Sequence, residues 1–259
     1  MPIQYLALIP ARYASTRFPG KPLVDILGKP MIQHVFERTS RVFQFCAVAT
    51  DNEQIAEVVS AFEGTVIMTS PDHQSGTDRC AEALEKAEEI FNQTFDVVIN
   101  VQGDEPFLHP SQLEAIKECF VNPEVQIATL IKKIDNIAEL TDVNKPKAVI
   151  DQQHRAIYFS RHPIPYLRGI ALEQWLDRHT YYKHIGLYAY RSNILQQITR
   201  LPQSSLEKAE SLEQLRWIEN GFTIHTVETT IENLSIDTPQ DLEKVLNELS
   251  KKGKTCSGY

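Results

Sequence analysis

The first half of the chain alternates short apolar runs with helical patterns, and few architectures accommodate that rhythm. Residues 5–9, 46–50, 65–69 and 97–101 read as buried strands. Between and after them, residues 31–43, 52–62, 76–91 and 110–120 carry the period of amphipathic helices. This alternation implies an α/β fold, a mostly parallel sheet covered by helices on both faces. Right-handed crossovers then put the strand C-termini on one edge, where such folds bind ligands.

The second half is less regular. Strands are predicted at 127–132, 147–150, 182–190 and 222–227, with 156–159 pairing with 147–150 as a hairpin. Helices are predicted at 192–199, 205–220 and 239–249, Gly221 stopping the second and Asp237 or Thr238 opening the last. Residues 161–180, rich in Pro, Arg and aromatic side chains, read as an irregular excursion, and residues 251–259 as a frayed tail. With no repeat or linker, residues 1–250 are expected to form a single domain.

Three cations, Arg12, Arg17 and Lys21, share the loop after the first strand with Ser15, Thr16 and Gly20. Cations, hydroxyls and backbone N–H groups at that place suit a polyphosphate, against the plainer alternative of a solvated basic loop. The loop has neither a Walker A sequence nor G-x-G-x-x-G, so side-chain cations carry more of the task than glycine backbone, and a dinucleotide-dependent oxidoreductase is disfavoured. The fourth strand runs into Asn100-Val-Gln-Gly-Asp-Glu-Pro106, which sets Asp104 on the ligand edge; the competing explanation is a Gly-Asp turn. Asp237 precedes Thr-Pro and suits a helix N-cap better than a ligand. Were the two carboxylates to converge, they would suit Mg²⁺ with substrate phosphates. The eight histidines form no zinc pattern.

A net charge of −8 argues against a general nucleic-acid binder, though not against an anionic substrate met by a local cation cluster. No apolar run reaches membrane-spanning length, and Met-Pro-Ile-Gln-Tyr lacks a basic leader. Cys46, Cys80, Cys119 and Cys256 are widely spaced, Cys46 and Cys119 in apolar settings, as expected of reduced thiols in a cytoplasmic protein.

Taken together, the segments 9–23, 28–31, 49–51, 72–79, 100–106, 158–161, 184–188, 212–216 and 237–239 resemble the 3-deoxy-manno-octulosonate cytidylyltransferases, from Leu8 to about Leu249. That resemblance implies Mg²⁺-dependent transfer of CMP from CTP to the anomeric hydroxyl of Kdo, with release of pyrophosphate, for lipopolysaccharide synthesis. It implies a nucleotide-binding part mainly in residues 1–122, a sugar-binding and dimerisation part mainly in 123–228, and a homodimer. By matched position, Pro10, Ala11, Arg12, Ser15 and Lys21 would hold the triphosphate side. Gln74, Ser75, Gly76, Thr77 and Arg79 would hold the cytidine, and Asp104 and Asp237 the Mg²⁺. Lys21, Asp104 and Asp237 would carry the catalysis. Arg161, His184, Tyr188, Glu213 and Gln214 would face the sugar, with Gln102 at the junction of the two substrates.

Plainer roles stand beside these. His184 and Tyr188 lie four apart on a predicted strand and share a face, which also suits core or interface residues. Glu213 and Gln214, adjacent on a predicted helix, diverge by roughly 100° about its axis. Arg161 could pair with a surface acid. The chain departs from the family pattern at Phe18, where Leu is commoner, and at residues 232–236, which lack the usual glycine before the second Asp. Residues 166–180 have no close match. Rival functions are a cytidylyltransferase for an amino variant of Kdo or a sialic-acid-like substrate, and a non-catalytic nucleotide-binding regulator. The first loop has less glycine than sialic-acid enzymes carry, and Lys21, Asp104 and Asp237 are all present, which counts against the regulator.

Overall fold

Leu6 to Ile9 have no solvent exposure, as an apolar strand covered on both faces requires. They form the centre of β1 (Tyr5–Ala11). A two-residue hairpin follows, β2 (Asp25–Ile26) with β3 (Lys29–Pro30), and then α1 (Met31–Thr39), β4 (Phe45–Thr50), α2 (Glu53–Ala61) and β5 (Val66–Met68). The chain continues through α3 (Gly76–Phe91), β6 (Val97–Asn100) and α4 (Pro110–Glu118). β1 lies between β4 and β6, and β4 pairs with β5, every pairing parallel. The expected parallel sheet is therefore present, and Ala11 of β1 and Asn100 of β6 end at the same edge. This computed structural model describes residues 2–14, 18–232, 236 and 238–251.

The chain divides into two compact units, Met1–Glu114 with Asn233–Tyr259, and Ala115–Glu232. In the second unit β7 (Ile127–Lys133) is followed by α5 (Ile137–Thr141), β8 (Lys147–Ile150), β9 (Ala156–Ser160), α6 (Trp175–Arg178) and β10 (Tyr182–Arg191). α7 (Ser192–Ile198), α8 (Ser205–Glu210), α9 (Gln214–Glu219) and β11 (Ile224–Glu228) complete it. β10 pairs antiparallel with β7 and β8, β8 antiparallel with β9, and β11 runs parallel to its neighbour β7. The hairpin of β8 and β9 is as expected.

One expectation needs correction. Residues 205–220 are not one helix. Ser211 adopts a left-handed conformation at φ 51° and ends α8, and α9 starts afresh at Gln214. A buried pair links the two pieces across the break. Arg216 donates to Glu207 through Nε at 2.8 Å and Nη2 at 2.6 Å. The 161–180 excursion is anchored as well as irregular. Trp175 and Tyr181 stack at 5.9 Å within an apolar cluster that includes Ile134 and Leu140. Trp175 Nε1 donates to Ile170 O, and Tyr181 Oη to Pro165 O.

α10 (Pro239–Lys251) returns to the first unit. Its Val245 packs in one cluster with Ile26, Met31, Phe107 and Ile236, against which Phe18 also packs. Packing thus explains the aromatic residue in the first loop. Cys46 and Cys80 are buried and Cys119 half-buried; Cys256 lies outside the described residues. Among the described residues no helix is long and apolar enough to cross a membrane.

Candidate active site

The ligand edge of the first unit holds a cavity of about 350 Å³. Pro10, Ala11 and Arg12 enter its wall from the end of β1. Lys21 enters from the turn that follows Gly20, whose φ of 69° and N–H bond to Tyr13 O set the direction of the loop. Gln102 and Asp104 enter from the loop after β6. Gln74, Ser75, Gly76 and Arg79 enter from the amino end of α3. Segments far apart in sequence are thereby brought to one place.

Each wall is braced from behind. Ser75 caps α3: its Oγ accepts from Asp78 N, and Asp78 Oδ2 accepts from Ser75 N. The positive end of a sixteen-residue helix thus opens on the cavity. Arg79 is almost wholly buried, its guanidinium donating to Thr69 Oγ1 and lying 3.4 Å from Asp51 Oδ2. Buried Arg38 donates through Nε to Pro106 O at 2.7 Å and steadies the loop that carries Asp104. Lys21 Nζ lies 2.6 Å from Asp104 Oδ2, so cation and carboxylate face each other across the floor.

Gly103 makes this floor possible. A Cβ there would meet Pro10 O, part of the β1 backbone, at 3.0 Å. Gly103→Ala is expected to cost about 1–3 kcal/mol of stability through overpacking. Urea unfolding checks this; an unchanged midpoint contradicts it.

Thr77 is buried behind the cavity and does not line it. Ser15 and Asp237 lie outside the described residues. Their surroundings are nevertheless informative. Ile236 N donates to Asp104 O at 3.2 Å. Thr238 Oγ1 accepts from Asp241 N, and Asp241 Oδ2 accepts from Thr238 N, so the capping of α10 falls to Thr238. Of the two residues expected to open this helix, Thr238 is therefore seen to do so, and Asp237 lies outside the described residues. Pro22, His73 and Gly103 also line the cavity and were not among the sequence candidates.

In the second unit His184 and Tyr188 come together, ring centroids 5.2 Å apart. The register of β10 on β7 shifts between Ile185 and Tyr188, and Thr129 sits in the irregularity. Its hydroxyl lies 2.9 Å from Leu187 O and 3.0 Å from His184 Nε2. A hydroxyl has one proton, which the carbonyl claims, so Nε2–H of His184 donates to Thr129. Tyr188 also meets Trp217 of α9 edge-on at 5.1 Å. Gln214 is buried on α9, and Glu213 is the half-buried residue just before it. Burial pushes the Tyr188 phenol well up, with Tyr190 and the Glu213 carboxylate adding to it.

Arg161 is engaged otherwise than expected for a carboxylate ligand. It donates Nε to Glu210 O, Nη1 to Val143 O and Nη2 to Ser211 O, leaving two of its five N–H groups.

Desolvation lowers the His184 pKa to about 4. The native ring then stays neutral while the unfolded chain protonates below about 6.5. Stability contributed by His184 is complete above that pH and is lost as pH falls towards 4, by about 2 kcal/mol at pH 5. Urea unfolding at pH 8 and pH 5, compared with His184→Phe, measures it. An equal loss in both proteins contradicts it.

A family model described as Cytidylyltransferase matches residues 6–231. The 3-deoxy-manno-octulosonate cytidylyltransferases of Phocaeicola vulgatus and Parabacteroides distasonis are 55% and 53% identical to the chain, over 93% and 94% of it and 96% and 97% of their own lengths. The structure of CMP:2-keto-3-deoxy-manno-octonic acid synthetase complexed with CTP matches with a TM-score of 0.87 and 42% identity, over 96% of this chain and 99% of that one. The 4-diphosphocytidyl-2C-methyl-D-erythritol synthase of Anaerococcus prevotii shares the fold, with a TM-score of 0.61 at 12% identity over 95% of this chain and 96% of its own. With relatives so similar over nearly all of its length, the chain belongs to the 3-deoxy-manno-octulosonate cytidylyltransferase family.

Proposed function

We propose that the chain transfers CMP from CTP to the anomeric hydroxyl of Kdo, with release of pyrophosphate. The observation that carries this is the convergence of Arg12, Lys21 and Asp104 with the amino end of α3 in one cavity. The chain around it is 42% identical to a synthetase solved with CTP.

The oxygen of the sugar hydroxyl displaces pyrophosphate at the α-phosphorus: a new P–O bond forms, the bond to the bridging oxygen of the β-phosphate breaks, and the hydroxyl proton is released to solvent. Both substrates are anions, so the site must offset charge repulsion as well as lost freedom. Positioning of two reactants contributes roughly 7–11 kcal/mol in favourable cases. We assign the triphosphate to Arg12 and Lys21, with Ser15 added from the sequence, and the cytidine to Gln74–Arg79. Lys21 is a compact cation suited to charge developing on the phosphates. No nucleophilic side chain is required.

We assign the metal to Mg²⁺: Asp104 presents a hard oxygen to the cavity, and Mg²⁺ is held by one or two carboxylates together with substrate phosphates. Asp104 would hold the ion with substrate phosphates; Asp237, next in sequence to the Ile236 that bonds Asp104 O, is the proposed second ligand. When bound, Mg²⁺ supplies polarisation of the phosphoryl oxygens. We assign the sugar acid to His184, Tyr188, Glu213 and Gln214, with Gln102 from the first cavity. Arg161 is assigned to the sugar side through its two remaining N–H groups. The buried thiols of Cys46 and Cys80 agree with a cytoplasmic enzyme, and we take its working form to be a homodimer.

Pyrophosphate release with CTP, UTP, ATP or GTP, each paired with Kdo, 8-amino-Kdo or sialic acid, tests the assignment. CTP with Kdo is expected to give the highest kcat/KM. Preference for the amino sugar would move the assignment to that substrate, and release from no pair would overturn it.

A further inference from the structure

α8 is only six residues long, yet two of its carboxylates are engaged on both oxygens by the segments that carry the proposed sugar side. Glu207 and Glu210 lie three apart and share a face of the helix. Glu210 holds Arg161. Its Oε2 accepts from Arg161 N at 2.9 Å and its backbone O from Arg161 Nε at 2.6 Å, while Oε1 accepts from Ser160 Oγ at 2.7 Å. One residue therefore fixes both where the Arg161 side chain leaves the backbone and how its guanidinium is turned. After the bonds to Val143 O and Ser211 O, one N–H on Nη1 and one on Nη2 remain. Two such groups match in number the two oxygens of a carboxylate.

Glu207 holds α9. It is buried, and its oxygens accept from Arg216, Oε2 from Nε at 2.8 Å and Oε1 from Nη2 at 2.6 Å. Ser204 N also donates to Oε2, at 3.2 Å, so the cap of α8 orients the carboxylate. Arg216 stands two residues after Gln214, and its Nη2 lies 4.0 Å from Glu213 Oε1. Replacing a buried ion pair by well-packed apolar residues often leaves stability unchanged or raised, so what such a pair adds is a defined geometry more than stability. Resting on the assignment of Arg161, Glu213 and Gln214 to the sugar acid, we propose that Glu210 and Glu207 are positioning residues for that substrate. Glu210 sets Arg161 for its carboxylate, and Glu207, through Arg216, sets Glu213 and Gln214.

Steady-state kinetics with Kdo and with its methyl ester, which lacks the carboxylate charge, test this beside calorimetric CTP binding. The variants are Glu210→Ala, Glu210→Gln and the double variant Glu207→Leu with Arg216→Met. Glu210→Ala is expected to raise the KM for Kdo about 10-fold, the size of one weakened hydrogen bond to a charged group, and to leave CTP affinity within about 2-fold. It should also narrow the preference for Kdo over the ester, which a general loosening of the fold would not do. Gln keeps the size of the side chain and one acceptor oxygen, so Glu210→Gln should fall between Ala and the wild type. The double variant removes both buried charges together, so it should keep the melting temperature and still raise the KM for Kdo about 5-fold. An unchanged KM for Kdo in Glu210→Ala, a loss of CTP affinity as large as the rise in KM, or an unchanged preference for acid over ester overturns the role of Glu210; an unchanged KM in the double variant overturns that of Glu207. In each case turnover of Kdo by the wild type leaves the substrate assignment standing. A wild-type chain that binds CTP but does not turn over Kdo overturns that assignment and the inference with it.

Discussion

Lys21→Ala is expected to lower kcat by about 10²- to 10³-fold at saturating CTP and Kdo, the size of effect seen when one preorganised donor to a developing negative charge is removed. The Lys21 side chain is only 11% exposed and is held against Asp104 at 2.6 Å, so its charge is prepaid in position. Gly20 in its left-handed conformation and the packing of Phe18 against α10 fix the loop that carries it. The effect belongs in kcat because charge on the departing pyrophosphate grows in the transition state, whereas in the proposed assignment Arg12 and the α3 terminus would still hold the ground-state nucleotide. CTP affinity should therefore fall by less than about 10-fold. Lys21→Arg should recover little, because the planar guanidinium does not reproduce a compact ammonium. Steady-state kinetics with calorimetric CTP binding separate the two effects. An unchanged kcat with a large loss of affinity would make Lys21 a ground-state ligand only.

Asp104→Asn is expected to cost about 10²-fold or more in kcat/KM and to raise the Mg²⁺ concentration needed for half-maximal rate. The several kcal/mol that a bound metal contributes to phosphoryl transfer depend on a charged oxygen to hold it. The fold should survive: the side chain is 30% exposed, and the loop is held by its backbone through Ile236 N and by Arg38 on Pro106 O. A Mg²⁺ titration of rate, with thermal melting alongside, checks both statements. Full turnover at limiting metal would remove Asp104 from the metal site, and a collapse of the melting temperature would assign it a structural role.

The parallel half of the fold was legible because its strands are buried on both faces and its helices keep a clean period. Residues 5–9 needed only hydrophobicity to be read correctly, and the wall of the cavity followed from where those strands end. Elements decided by long-range contacts were not legible. Nothing local marks Ser211 as left-handed; the break before α9 is stabilised by the Arg216–Glu207 pair reaching back across it. The chemistry of Asp-Thr-Pro allows either residue to open the last helix, and only the bonds between Thr238 and Asp241 show that Thr238 does so. Arg161 is engaged by the backbone of residues 143, 210 and 211, a geometry no motif encodes. His184 and Tyr188 do meet, through the irregularity around Thr129 as well as the alternation of the strand. His73 lies inside the segment 72–79, nine residues before Glu82, which reaches back to it from α3.

The central claim is the bond that forms, and ³¹P NMR of a reaction containing the chain, CTP, Mg²⁺ and Kdo observes it directly. The account predicts loss of the three CTP resonances in step with one phosphodiester signal, from CMP joined to the sugar, and one pyrophosphate signal, both absent when Kdo is left out. Hydrolysis of CTP to CMP or CDP with no phosphodiester, or pyrophosphate released at the same rate without Kdo, would contradict it.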